Sequence, residues 1–268
     1  MPPNPTQIPD KAAAAPRAAR PLEFYDLSHP AVPPGLEGLS ILHLADLHTR
    51  RGRRPPSVAR LLRLLPEHPV DLVALTGDFM DHPGDETRAL EVLASLAGAW
   101  RARMGAFGIF GNHDSPAFQR QATEIPGIRW LVNDACEVAT DSGSGRLVVA
   151  GASFPEDVLG AHRAVERCVP GFVLGLVHYP TELFPASELG WPLVLAGHTH
   201  GGQIRVNPRI TPHTSCDLPS GLASGLLARN TTLCGISRGL GSTVLPLRLR
   251  CPPQAPIYRL RRAPAAFG

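Results

Sequence analysis

Five short polar clusters in this 268-residue chain carry residue types that bind metal ions: Asp46-Leu47-His48, Gly77-Asp78, Gly111-Asn112-His113-Asp114, His178 and Gly197-His198-Thr199-His200. Imidazole, carboxylate and carboxamide groups supply nitrogen and oxygen ligands suited to borderline divalent cations, and no thiolate is among them. Asp46 and His48 stand two residues apart, as do His198 and His200, so both members of each pair can turn to one side while the residue between points away. With Asp78, Asn112 and His178 they make seven candidate ligands. Seven is too many for one tetrahedral site and suits two ions. Asp78 is the natural bridge, because a carboxylate has two oxygens where imidazole has one free nitrogen.

Such distant clusters meet only if the fold gathers them, and the segments before them predict how. Apolar runs of strand length occupy residues 39–45, 71–77, 105–111, 146–152, 172–178 and 192–198, each bounded by Gly, Pro or Asp, as expected of strands buried on both faces. Helical spacing follows from a cap at Ser57, again over 86–103, and a third helix starts at Ser115-Pro116. In an open α/β sheet, residues just beyond the carboxyl ends of strands converge in one crevice. After His200 the segments GGQIRV, NTTLCGIS and APIYRLR read as Gly-rich hairpins on one sheet edge. Residues 1–38, rich in Pro, Ala and Arg, read as a flexible arm that gains order only near Leu22 to Leu27; 39–262 read as one domain and 263–268 as a tail.

The 29 Pro and 26 Gly disfavour long helices, and a net charge of +3 gives no reason to expect specific nucleic-acid binding. No stretch reaches the ~20 apolar residues that span a bilayer, and the N-terminus shows neither an apolar signal core nor a twin arginine. Five irregularly spaced cysteines fit reduced thiols. A cytoplasmic protein is expected, with peripheral contact at the inner face of the membrane as a variant of that expectation. Of the 11 histidines, His43 falls inside a strand and reads as structural.

The order D-x-H, G-D, G-N-H-D, H, G-H-x-H resembles the calcineurin-like metallophosphoesterases, and the continuation Gly201-Gly202-Gln203 with Ser237-Arg238-Gly239-Leu240-Gly241 is similar to their bacterial phosphodiesterase branch. The resemblance covers about residues 39 to 260. It implies a four-layer α/β/β/α sandwich. It places Asp46, His48, Asp78 and His200 on one ion and Asp78, Asn112, His178 and His198 on the other, with Mn²⁺ foremost and Fe or Zn²⁺ tolerated. His113 is then similar to the group that protonates the leaving oxygen, with Asp114 orienting its ring, while a hydroxide bridging the ions attacks phosphorus in line. A phosphodiester or pyrophosphate substrate, small or lipid-linked, is implied. Oligomeric state is not readable.

Arg50, Arg51, Arg53 and Arg54 follow the first motif at the mouth of the expected site; Arg50 and Arg238, with Arg248, are candidates for holding substrate phosphate. Two further readings compete: cleavage of a sugar-nucleotide-linked lipid at a membrane surface, and a metal-binding scaffold without catalysis. The segment Gly235-x-Ser237-x-Gly239 matches a nucleophile elbow, but no Asp, Glu or His follows Ser237, so a serine hydrolase is excluded. There is no P-loop lysine motif and no H-E-x-x-H.

Overall fold

Alternating side chains along each strand build the layers of this protein. The computed structural model describes residues 5–8, 21–52, 54–140, 145–155, 157–207 and 210–264. Among these the strands are β1 (Thr6–Gln7), β2 (Leu22–His29), β3 (Ser40–Leu44), β4 (Leu72–Thr76), β5 (Ala106–Ile109), β6 (Ile128–Trp130), β7 (Asp134–Val138), β8 (Leu147–Ala152), β9 (Phe172–Val177), β10 (Leu193–Ala196), β11 (Gly225–Arg229), β12 (Thr232–Ile236) and β13 (Ala255–Arg262). The α-helices are α1 (Pro56–Leu64), α2 (Glu86–Ala99), α3 (Pro116–Ala122), α4 (Val158–Val165) and α5 (Leu183–Glu188).

One sheet runs β2-β13-β3-β4-β5-β6 and the other β1-β11-β12-β10-β9-β8-β7. Within β4, Val73 and Leu75 pack in a core with Val58, Leu61, Val92 and Phe118 of α1, α2 and α3, whereas Leu72 and Ala74 pack against Val149, Leu174 and Leu195 of the second sheet. The far face of that sheet buries Val148, Val173 and Val194 beneath Val158 of α4 and Leu183 of α5. Three apolar layers between four structural layers give the expected α/β/β/α sandwich. β3, β4 and β5 are mutually parallel, as are β8, β9 and β10, so their carboxyl ends open on a common edge.

Three details differ from expectation. Leu22–His29, assigned to the arm, pairs along its whole length with β13, so the boundary expected at residue 39 falls inside a sheet. APIYRLR is no edge hairpin: β13 lies between β2 and β3, parallel to one and antiparallel to the other. Ser57 does not cap α1, which opens at Pro56; its hydroxyl donates to the Leu240 carbonyl at 2.6 Å and ties the helix to the loop after β12. Ser115 does cap α3, accepting from the Phe118 amide at 3.1 Å. Residues 1–4, 9–20 and 265–268 of the expected arm and tail, and Arg53, lie outside the described residues.

His43 on β3 is fully buried; its Nε2 meets the Thr76 hydroxyl at 2.8 Å and its Nδ1 has no partner. Burial lowers its pKa from 6.5 to about 3. Between those values the unfolded chain binds a proton that the folded chain refuses, so stability falls as pH drops from 6.5 toward 3. His43→Leu should therefore flatten the acid limb of urea unfolding, sparing on the order of 3 kcal/mol by about pH 4. Parallel acid limbs in both proteins would refute this.

Candidate metal centre

The strand-end turns are stapled to one another by their own backbones. Asp46 N donates to Gly77 O at 3.0 Å, His48 N to Asp78 O at 3.1 Å and Gly197 N to His178 O at 3.2 Å. Leu240 N and Gly241 N reach the carbonyls of Ala45 and Asp46 from the opposite side. Asp46, His48, Asp78, His198 and His200 all take positive φ, between 39° and 70°, in the left-handed region that side chains other than glycine rarely occupy. Five such residues where strands of the two sheets end mark backbone strain held by the surrounding fold, as is common at functional sites.

The side chains converge on Asp78. Its Oδ2 lies 3.4 Å from His48 Nε2 and 3.3 Å from His178 Nε2. His48 Nε2 is also 3.0 Å from His200 Nε2, and His178 Nε2 is 2.9 Å from Asn112 Oδ1 and 3.2 Å from His198 Nδ1. Asp46, His48 and His200 form one tight group, and Asp78, His178 and His198 a second. All seven predicted ligands thus meet in one buried place, with Asp78 between the two groups.

Hydrogen-bond partners fix which ring nitrogens face inward. His48 Nδ1 is 2.8 Å from Asp81 Oδ1, His178 Nδ1 is 2.8 Å from Thr76 O, and His198 Nε2 is 2.9 Å from Ser215 O. These oxygens only accept, so each outward nitrogen carries the hydrogen and the inward nitrogen of a neutral ring presents a lone pair. Around His178 and His198, lone pairs then face one another and the Asp78 carboxylate, and Asp46 Oδ2 is buried without a partner; His200 differs, its Nδ1 lying 3.3 Å from the Arg248 guanidinium, which only donates. A cation relieves this arrangement, and the residues present fit two. Protons are the alternative positive charge. Burial alone would lower His48, yet hydrogen bonds to Asp78 and Asp81 outweigh it and raise its pKa to about 10; likewise the charge of Asp78 overcomes burial to lift His178 to about 9. Burial and the charge of neighbouring His178 instead lower His198 to about 4.

Glycines admit this crowding. A Cβ on Gly111 would stand 2.6 Å from Asp78 N and 2.8 Å from His178 Cε1, and one on Gly197 would stand 2.9 Å from Asp46 Oδ2. Gly111→Ala should weaken Mn²⁺ binding by about tenfold or more while the protein stays folded, read by isothermal titration and circular dichroism. Unchanged affinity would show that the ligands are not so closely held.

His113 sits at the rim, its ring 4.7 Å from that of His48. Its amide donates to Asp78 Oδ1 at 2.9 Å and its Nδ1 lies 2.7 Å from the Asp81 carbonyl. The expected role of Asp114 is therefore corrected. Its carboxylate turns away from that ring to accept from the amides of Gly111 at 2.8 Å, Asp78 at 2.9 Å and Phe79 at 2.8 Å, clamping the two turns together. Arg238 is corrected too: its guanidinium is 2.5 Å from Glu23 Oε1 and donates to Pro252 O, so its charge is committed inside the protein. Arg50 lines a cavity of about 250 Å³ beside His48, with Pro55, Pro56, Leu240, Pro246 and Arg248, and lies 2.5 Å from Asp81 Oδ2. Arg248 donates to the carbonyls of Arg238, Gly241 and His200.

Asp81 escaped the sequence reading although it touches three functional groups: His48, Arg50 and, through its carbonyl, His113. Its signal was its place three residues past Asp78 on the same strand-end turn. Tyr179, whose ring lies 4.1 Å from that of His198, also went unnoticed.

The calcineurin-like phosphoesterase family model matches residues 39–202. The chain is 28% identical to the uncharacterized metallophosphoesterase YkoQ of Bacillus subtilis (strain 168), over 85% of either chain. It is 31% identical to the phosphodiesterase YaeI of Escherichia coli (strain K12), over 82% of this chain and 81% of that protein. TT1561 of Thermus thermophilus, a solved structure, aligns at TM-score 0.47 and 12% identity over 76% of this chain and 90% of its own. With its candidate ligands gathered where the strands of both sheets end, the chain belongs to the calcineurin-like phosphoesterases and is a metal-dependent hydrolase of phosphoric esters.

Proposed function

We propose that this enzyme is a phosphodiesterase with a two-ion centre, Asp78 being the shared ligand and His113 the proton donor. The observation that carries the reading is the position of Asp78 Oδ2, almost equidistant from His48 and His178 at the junction of two ligand groups. Asp46, His48 and His200 would hold one cation and Asn112, His178 and His198 the other, with Mn²⁺ the first candidate. Two such cations would neutralise phosphate oxygens and lower the pKa of a water between them.

The chain's own residues supply the rest. The Asp81 carbonyl fixes the tautomer of His113, so Nε2 of that ring takes up a proton and delivers it to the departing oxygen. Asp81 Oδ1 does the same orienting service for His48. Charge supports a diester over a monoester. Arg50, Arg238 and Arg248 are each held by protein oxygens, which favours a substrate group with one negative charge over a monoester with nearly two. The likeness to YaeI, a phosphodiesterase by name, points the same way.

Turnover of bis-p-nitrophenyl phosphate against the p-nitrophenyl monoester, with Mn²⁺ present, tests the reading. The diester should give the higher kcat/KM by about tenfold or more. Preference for the monoester would overturn the proposal.

A further inference from the structure

Ten large apolar side chains are exposed among the described residues, and six of them stand on two adjoining segments: Val206 and Ile210, and Val244, Leu245, Leu247 and Leu249. The segments are joined. Ile204 bridges Leu249, the Gln203 carboxamide donates to the carbonyls of Thr243 and Leu245, and Arg250 donates to Val206 O. Val244 is 80% exposed. The patch adjoins the centre, since Pro246 and Arg248 of the same loop line the cavity beside His48, and Arg50 reaches the carbonyls of Ser242 and Val244. A concentration of apolar surface at a rim of the active site marks an interaction surface.

Charge says what the surface fits. In the sequence, residues 47–66 and 197–268, which include both apolar segments and the arginines beside them, contain a single acid, Asp217. Arg51 and Arg250 are exposed beside the patch, and Arg54 directly precedes cavity-lining Pro55. Of the carboxylates that reach this side from elsewhere, Asp81 and Glu23 are engaged by Arg50 and Arg238, and the buried Asp85 is engaged by the backbone amides of Arg51 and His82. Apolar side chains flanked by arginine with so little opposing charge are the composition of a surface that enters the headgroup region of an anionic bilayer, the leucines burying carbon while the arginines meet lipid phosphate. No described helix is long and apolar enough to cross a membrane, so such contact would be peripheral.

We infer that the loop 242–250, with Val206, Ile210 and the arginines beside it, docks this enzyme on an anionic membrane surface with its metal centre facing the lipid headgroups. Binding is read without turnover, so it stands or falls apart from the proposed reaction. The full chain should sediment with phosphatidylcholine vesicles containing phosphatidylglycerol about tenfold or more better than with phosphatidylcholine alone, and raised salt should release it. The Val244→Ser, Leu245→Ser, Leu247→Ser triple variant should lose about tenfold or more of that binding while hydrolysing a water-soluble diester at the wild-type rate. Should the triple variant not fold, Val244→Ser alone and the Arg51→Gln, Arg250→Gln pair decide, each weakening vesicle binding. Wild type remaining in the supernatant, equal binding to neutral vesicles, or variants binding undiminished would each overturn the inference. So would a wild-type dimer that the serine substitutions dissociate, which would give the patch to a second copy of the chain.

Discussion

Asp78→Asn is expected to lose both its metal and its activity, with kcat/KM falling by about 10³-fold or more at fixed Mn²⁺. The substitution is nearly isosteric, so the turn, its left-handed backbone and the amide contacts of Asp114 can survive. What changes is charge and donor character at one atom. Burial pushes the Asp78 carboxyl up, but the charges and hydrogen bonds of His178 and His48 outweigh it and hold the group well below its usual range, so it is an anion at neutral pH. A carboxamide removes that anion from between two groups of inward lone pairs. It can also turn an NH₂ toward a place that needs an acceptor. Mass spectrometric metal analysis of the purified variant should show a large loss of bound ions. Full metal content with activity within about tenfold of wild type would mean that Asp78 is not the shared ligand.

His113→Ala is expected to separate chemistry from metal binding. The backbone amide that donates to Asp78 Oδ1 remains in the variant, so the centre should keep its ions. Loss of a general acid costs about 10²- to 10⁴-fold in kcat when the leaving oxygen needs a proton, as an alkoxide does. A nitrophenolate leaves as a stable anion and needs none, so the drop on an activated nitrophenyl diester should be far smaller. This split by leaving group separates a proton donor from a residue that only shapes the site. Equal losses on both substrates would assign His113 to binding or structure.

The candidate ligands were legible because each stands at or just past the end of an apolar run whose pattern predicts a strand, and parallel strands bring their ends together. Asp46, His48, Asp78, Asn112, His178, His198 and His200 needed only that rule to be placed at one edge, while their division into two groups came from the family resemblance. What pattern could not supply was the partner of a side chain. Asp114 follows His113 in sequence, yet its carboxylate satisfies three amides of the neighbouring turns, a choice set by the crossing of backbones there. Arg238 looks available until β2 pairs beside β13 and brings Glu23 against it. That pairing joins segments more than 200 residues apart, and the strand after the Pro- and Ala-rich stretch buries Tyr25, Leu27 and His29 in alternation but also Leu22, which is out of phase with them. Strand identity was local information, whereas sheet order and ion pairing depended on contacts between distant segments.

The central claim is that two ions share Asp78, and anomalous diffraction from crystals grown with Mn²⁺ addresses it most directly. Two peaks about 3.5–4 Å apart are expected, one against Asp46, His48 and His200, the other against Asn112, His178 and His198, with Asp78 touching both. A single peak at saturating Mn²⁺, or two peaks that Asp78 does not join, would contradict the account.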